Sequence, residues 1–178
     1  MTASHDENAV AHVWDQHLGA EFGAKDADAA LETMTDNPRV HLIPVMLGGV
    51  GREAVREFYG THFLPQLPPD LEFVPISRTI GQGRLVDEMI ARFTHSVRMD
   101  WLLPGVAPTG KRIELAAVSV ARFEGGKIAS ENLYWDQASV LLQLGLLDRS
   151  LPVSGVEVAR QLLDPSVPMN ALLQRSGR

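Results

Sequence analysis

Asp136 ends the run Glu131-Asn132-Leu133-Tyr134-Trp135-Asp136, in which two aromatic rings lead into a carboxyl group and a helical stretch follows. A carboxyl desolvated beside two rings has a raised pKa, so it can take up and return a proton near neutral pH. The rings of Tyr134 and Trp135 can hold an apolar ligand against it. Helix N-termini also favour aspartate, because its oxygens accept the free amides of the first turn. Both readings of Asp136 stand, and one residue can serve both. His95 is the second candidate, since an imidazole titrates near neutrality and can polarise or protonate an oxygen. Trp101, Tyr59, His41 and Glu131 are candidates for the ligand wall.

Helices must carry some of these side chains. Ser4-His5-Asp6-Glu7 reads as a capping box, after which Val10, Trp14, His17, Leu18 and Phe22 recur as one helical stripe that Gly23 stops. A shorter helix starts near Asp26. Arg39 to Leu47 reads as a strand, with Pro44 marking an edge or a bulge. A third helix runs from Arg52 to about His62 and has Val55, Phe58 and Tyr59 on its apolar face.

Strands carry the rest. Stretches 71–80, 84–97, 111–123 and 126–136 are rich in β-branched and aromatic residues, with Gly81-Gln82-Gly83 and Glu124-Gly125-Gly126 as turns between them. In such a meander His95 and Asp136 fall at the same end of the sheet. A symmetric long loop and a Glu124-Gly125 turn would put both near Ile113, with backbones about 10 Å apart and room for a substrate between. A slip of one residue would flip one of them to the other face. Glu88, Arg92, Glu114 and Glu131 share an alternation along neighbouring strands, which makes them either a buried charge network or a dimer-facing one. The connection Arg98 to Gly110 is far longer than the ~2–5 residues of a hairpin loop. Its Trp101, Leu102 and Leu103 suit a lid or pocket lip, or an interface loop. A helix from Gln137 to Leu147 closes a domain spanning 1–148, and 149–178 reads as a tail packed on that domain or on a partner subunit.

Composition excludes several classes of function. The 178 residues carry a net charge of −6 at pH 7, which disfavours nucleic acid and anionic membrane as partners. There is no cysteine, so disulfides and thiolate nucleophiles are out. No stretch approaches a membrane span or a signal peptide, and a cytoplasmic location is expected. The six histidines form no close ligand pair of the His-Glu-x-x-His type, and no Gly-x-Ser-x-Gly elbow occurs. Neither a metal nor an organic cofactor is expected.

Helices followed by a curved antiparallel or mixed meander and a closing helix describe an α+β cone, a sheet wrapped around N-terminal helices. The segments Gly51-Arg52-Glu53-Ala54-Val55-Arg56-Glu57-Phe58-Tyr59, Trp101-Leu102-Leu103-Pro104-Gly105 and Tyr134-Trp135-Asp136-Gln137-Ala138-Ser139 resemble the SnoaL-like branch of the nuclear transport factor 2-like superfamily, over about residues 5 to 148. The resemblance implies a cone-shaped pocket, a homodimer joined through the sheet's outer surface, and cofactor-free cyclase, isomerase, dehydratase or hydrolase chemistry. It also implies an acid–base aspartate from a cavity-lining strand, which Asp136 matches most closely by motif position. Some members only bind, so fold does not settle function. Two classes remain. One is an enzyme acting on a small apolar carbonyl, lactone or polyketide-like compound, and the other is a ligand-binding or assembly module in which Asp136 only caps.

Overall fold

The computed structural model describes residues 7–175. The Ser4–Asp6 part of the capping box lies outside them. Helix α1 (Glu7–Leu18) runs on into a wide π turn over Gly19–Ala24, and α2 (Ala27–Glu32) follows, capped by the Asp26 carboxylate. Six strands form one mixed sheet: β1 (Met34–Leu42), β2 (Leu47–Val50), β3 (Glu72–Gly81), β4 (Arg84–Thr94), β5 (Arg112–Glu124) and β6 (Lys127–Trp135). Their order is β2-β1-β6-β5-β4-β3, so the curled sheet stays open, with β2 and β3 as its edges. Only the β1–β6 pair among these is parallel. Helix α3 (Arg52–Glu57) ends in a second π turn, Phe58–Phe63.

The expected strand over 39–47 is in fact two strands. Pro44 has no amide to give a ladder, and the chain makes a tight turn at Ile43–Val45 before returning as β2 against β1. Glycine is required on that return: a Cβ at Gly48 would meet the Val40 carbonyl oxygen at 2.0 Å, and one at Gly49 the backbone of Ala54 at 2.6 Å.

Along β5, Ile113, Leu115, Ala117, Ser119, Ala121 and Phe123 face the helices. Helix α4 (Gln137–Leu144) and α5 (Glu157–Leu163) pack against β5, and Gly145 ends α4 in the left-handed conformation. Gln143 bonds both backbone groups of Glu114, and Arg160 approaches the Glu114 carboxylate, which also holds Arg92. A short helix, α6 (Ala171–Arg175), comes last. Among the described residues no helix is long and apolar enough to cross a membrane.

One irregularity decides which side chains face inward. In the β5–β6 hairpin Phe123 pairs with Ile128, but Arg122 pairs with Ser130, so Ala129 is an extra residue. Such a bulge reverses the facing of everything beyond it. Glu131, Leu133 and Trp135 therefore lie level with Ala121, Ser119 and Ala117 on the inner face.

Candidate active site

Inside the curl lies a cavity of about 700 Å³ between the helices and β1, β3, β4, β5 and β6. Phe22, Phe58, Phe63 and Phe73 supply much of its wall, and Phe22 meets Phe73 edge-on with ring centroids 4.8 Å apart. At one side of this apolar space sit five polar side chains that fold elements bring together from distant sequence. His17 and Glu21 come from α1 and its π turn, Tyr59 from the second π turn, Ser119 from β5 and Glu131 from β6. All five are buried, and Glu21, Tyr59, Ser119 and Glu131 line the cavity. π turns redirect side chains that a regular helix would aim elsewhere, and they recur at functional sites.

The hydrogen bonds define protonation. Thr33 Oγ1 donates to the Ala30 carbonyl at 2.6 Å, so the close approach of His17 Nδ1 to Thr33 Oγ1 (2.7 Å) and to the Ala30 oxygen (3.2 Å) requires a proton on Nδ1. The other nitrogen, Nε2, faces Glu21 at 3.3 Å, Glu131 at 3.6 Å and the Tyr59 hydroxyl at 3.3 Å. Burial opposes a charge on His17, but Glu21 and Glu131 outweigh it and push its pKa up to about 10. The ring is an imidazolium held between two acidic side chains. Glu131 also accepts from Ser119 at 3.1 Å and from Tyr59 at 3.5 Å. Burial raises the Glu21 carboxyl, which His17 pulls down and Glu131 pushes up further. Burial, with Glu21 and Glu131 nearby, also raises the Tyr59 phenol, which stays a proton donor at neutral pH.

One nitrogen of His17 and one oxygen each of Glu21 and Glu131 lie within 4.8 Å of one another, a spacing that a divalent ion could use. An imidazolium has no lone pair to give, so metal binding there would first have to displace the proton. A second polar cluster stands across the floor. Asp87, level with Ser119 on the neighbouring strand, accepts from Trp14 Nε1 at 2.8 Å and from Arg78 at 2.7 and 2.8 Å, while Arg78 also reaches Asp15.

The proton on His17 predicts a pH dependence. Between pH 6.5 and about 10 the folded chain keeps a proton that an unfolded histidine releases. Stability is therefore complete below pH 6.5 and falls as pH rises through that window. Thermal melts from pH 6 to pH 10 should show the decline in the wild type and flatten it in His17→Gln.

The residues singled out from the sequence are dispersed. Tyr59 and Glu131 line the cavity together. Asp136 is exposed, and its Oδ1 accepts the amides of Ala138 at 2.9 Å and Ser139 at 3.2 Å, as an N-cap does. His95 is fully buried at the foot of the long loop, its Nδ1 accepting from the Thr109 amide, and burial lowers its pKa. The structure does not bring the two together. His95 bonds Lys111, whereas Trp135, just before Asp136, pairs with Ala117. Asp136 thus follows at the level of Ala116, and Lys111 to Ala116 is about 17 Å of strand. The Ala129 bulge also turns Asp136 away from the inner face. Trp101 packs edge-on against Phe63 at 5.2 Å, and its loop plugs the core with Met99, Leu102 and Leu103 rather than forming a lip over the cavity. Trp135 bonds Gln137, Tyr134 stands exposed on the outer face, and His41 lies beside Arg39 on the outward side of β1. Asp136→Ala should cost about 1 kcal/mol through the lost cap, seen as a melting shift of about 2–4 °C, and leave turnover unchanged.

His17 and Glu21 were missed as functional residues. Their signal was a histidine and a glutamate four residues apart on the apolar stripe of α1, between Trp14 and Phe22. Ser119 and Asp87 gave no signal apart from register.

A model of the SnoaL-like domain matches residues 7–131. The chain belongs to the SnoaL-like domain family. The match takes in His17, Glu21, Tyr59, Ser119 and Glu131 and ends before Tyr134, Trp135 and Asp136, short of the residue 148 that the resemblance reached. Among solved structures, a putative SnoaL-like polyketide cyclase from Jannaschia sp. CCS1 superposes with a TM-score of 0.65 at 19% identity, covering 83% of this chain and 99% of that one. IdmH, a putative polyketide cyclase from Streptomyces antibioticus, gives 0.55 at 22%, over 76% of this chain and 98% of its own. A hypothetical protein with a ketosteroid isomerase-like fold from Catenulispora acidiphila DSM 44928 gives 0.58 at 14%, over 76% and 93%. At these identities the likeness is one of fold. No curated protein matches the sequence.

Proposed function

We propose that this SnoaL-like chain is a cofactor-free acid–base enzyme acting on a small, mostly apolar carbonyl, lactone or polyketide-like compound, as a cyclase or isomerase does. The observation that carries the reading is Glu131, a buried carboxylate open to the apolar cavity, flanked by the hydroxyls of Tyr59 and Ser119 and backed by the His17 cation. The two hydroxyls and the His17 ring fix the Glu131 carboxylate at the cavity wall, within reach of a bound C–H. Glu131 would take the proton from the carbon beside the carbonyl. The C–H electron pair then moves through carbon to the carbonyl oxygen, and the developing oxyanion accepts a hydrogen bond from Tyr59. His17 limits the negative charge that the site accumulates, and Glu21 holds His17. Return of the proton from Glu131 to another carbon completes an isomerisation. In a ring closure the enolate carbon instead attacks a second carbonyl carbon of the same molecule, the π pair of that carbonyl moves to its oxygen as the carbon–carbon bond forms, and this oxygen takes the proton from Glu131.

Thermal-shift titration tests the cavity part of this reading. Small apolar ketones should raise the melting temperature of the wild type and lose that effect in Leu133→Trp, which fills the cavity. Equal shifts in both proteins would place binding elsewhere. A second copy of the chain would pack on the outer sheet face, where exposed Tyr134 is level with Val118; a monomer in sedimentation at micromolar concentration would rule out that dimer.

A further inference from the structure

The charges around the cavity are unequal. Glu21, Glu131 and Asp87 line it, against Arg78 alone among the described basic residues, with the His17 cation set behind Glu21 and Glu131; Glu88, level with Val118, turns its carboxylate to the outer face beside Ser77. Arg78 is fully engaged. Its guanidinium is bidentate on Asp87 and reaches out to Asp15 at 2.8 Å, so a second acid further offsets its charge at the wall. With all of these groups ionised, the three acids Glu21, Glu131 and Asp87 outnumber the cations Arg78 and His17 by one. The cavity's remaining surface is rich in ring faces, with Phe22, Phe58, Phe63 and Phe73 joined by Trp14 and Tyr59. Ring faces attract cations, more strongly where water is excluded. An organic anion would meet carboxylates with no free basic partner, and a neutral ligand would leave the excess acid uncompensated.

We infer that the natural ligand of this cavity is an apolar molecule carrying a protonated amine, held with its ammonium near Glu131 and Glu21 and its hydrocarbon among the phenylalanines. The inference rests on the proposed reading of the cavity as the substrate site and adds the ligand's charge to it. An amine on the substrate would offset the second carboxylate when His17 and both glutamates are charged. It would also anchor the molecule by one end, which presents a neighbouring carbonyl to Glu131 and Tyr59.

Three probes of one shape separate charge from fit: dimethylphenethylamine (cation), benzylacetone (neutral ketone) and hydrocinnamate (anion). By calorimetry at neutral pH and moderate salt, the amine should bind the wild type at least about tenfold more tightly than the ketone, a difference of roughly 1.4 kcal/mol, and the anion should not bind. Glu131→Gln should shrink the preference for the amine, and Leu133→Trp should abolish binding of both. Ketone binding equal to or tighter than amine binding would overturn the charge inference and leave the cavity reading standing. Failure of all three probes, or binding that survives Leu133→Trp, would overturn both.

Discussion

His17→Leu should lower the melting temperature by about 6–20 °C. The substitution keeps roughly the volume of the ring but removes the cation between Glu21 and Glu131, which approach its Nε2 at 3.3 and 3.6 Å with all three side chains buried. Breaking a buried ion pair from one side costs about 3–5 kcal/mol, because the stranded charge keeps its desolvation penalty. In a domain of this size each kcal/mol is worth about 2–4 °C. The loss should be smaller in the double variant His17→Leu/Glu21→Leu, since removing the charge together with its partner removes the uncompensated group as well. A single variant as stable as the wild type would show that the two carboxylates do not depend on the imidazolium.

Glu131→Gln should lower kcat by about a hundred- to ten-thousand-fold while the protein stays folded, the range that a positioned acid–base group commonly supplies. Glutamine keeps the shape and can still interact with Ser119 and Tyr59, but it cannot take a proton. Substrate affinity should change far less than kcat for a neutral ligand, because the carboxylate does its work as the C–H bond breaks. Tyr59→Phe should give a smaller loss, since it removes one hydrogen bond to the oxyanion and leaves the base in place. Binding without turnover in the wild type, across compounds that fit the cavity, would favour a ligand-binding module instead.

Much of the fold could be read from residues alone. Period-two runs and glycine turns marked β3 to β6, the apolar stripe marked α1, and Gln137 onward marked α4. The break in the first strand was foreshadowed by Pro44, though the hairpin to β2 was not, because Gly48 and Gly49 mark a close approach that only the partner backbone explains. The site was less legible. Asp136 stood out because it follows two rings, yet local helix-capping chemistry accounts for its place. The reading that joins it to His95 assumes a Glu124-Gly125 turn and a symmetric loop; the turn is Gly125-Gly126, which moves Asp136 two residues along β5, and His95 sits level with Lys111. One extra residue, Ala129, slides the β6 pairing and exchanges the faces, turning Glu131 toward the helices and Asp136 away from them. No pattern in an alanine within a strand announces such a bulge. Alternation groups Glu131 with Glu114, and the bulge separates them: Glu114 pairs with Arg92 and Arg160 on the outer face, Glu131 with His17 inside. His17 was hidden for another reason. A histidine on an apolar stripe reads as core, and its meaning depends on a glutamate from the other end of the chain.

The central claim, that proton transfer belongs to Glu131 and not to the end of the strand, is tested most directly by solvent deuterium uptake. A carbonyl ligand of the cavity is incubated in deuterated water with the wild type, Glu131→Gln and Asp136→Asn, and exchange beside its carbonyl is followed by NMR. The account predicts exchange at equal rates in the wild type and Asp136→Asn and a loss of at least about a hundredfold in Glu131→Gln. Exchange that persists in Glu131→Gln and disappears in Asp136→Asn would contradict it.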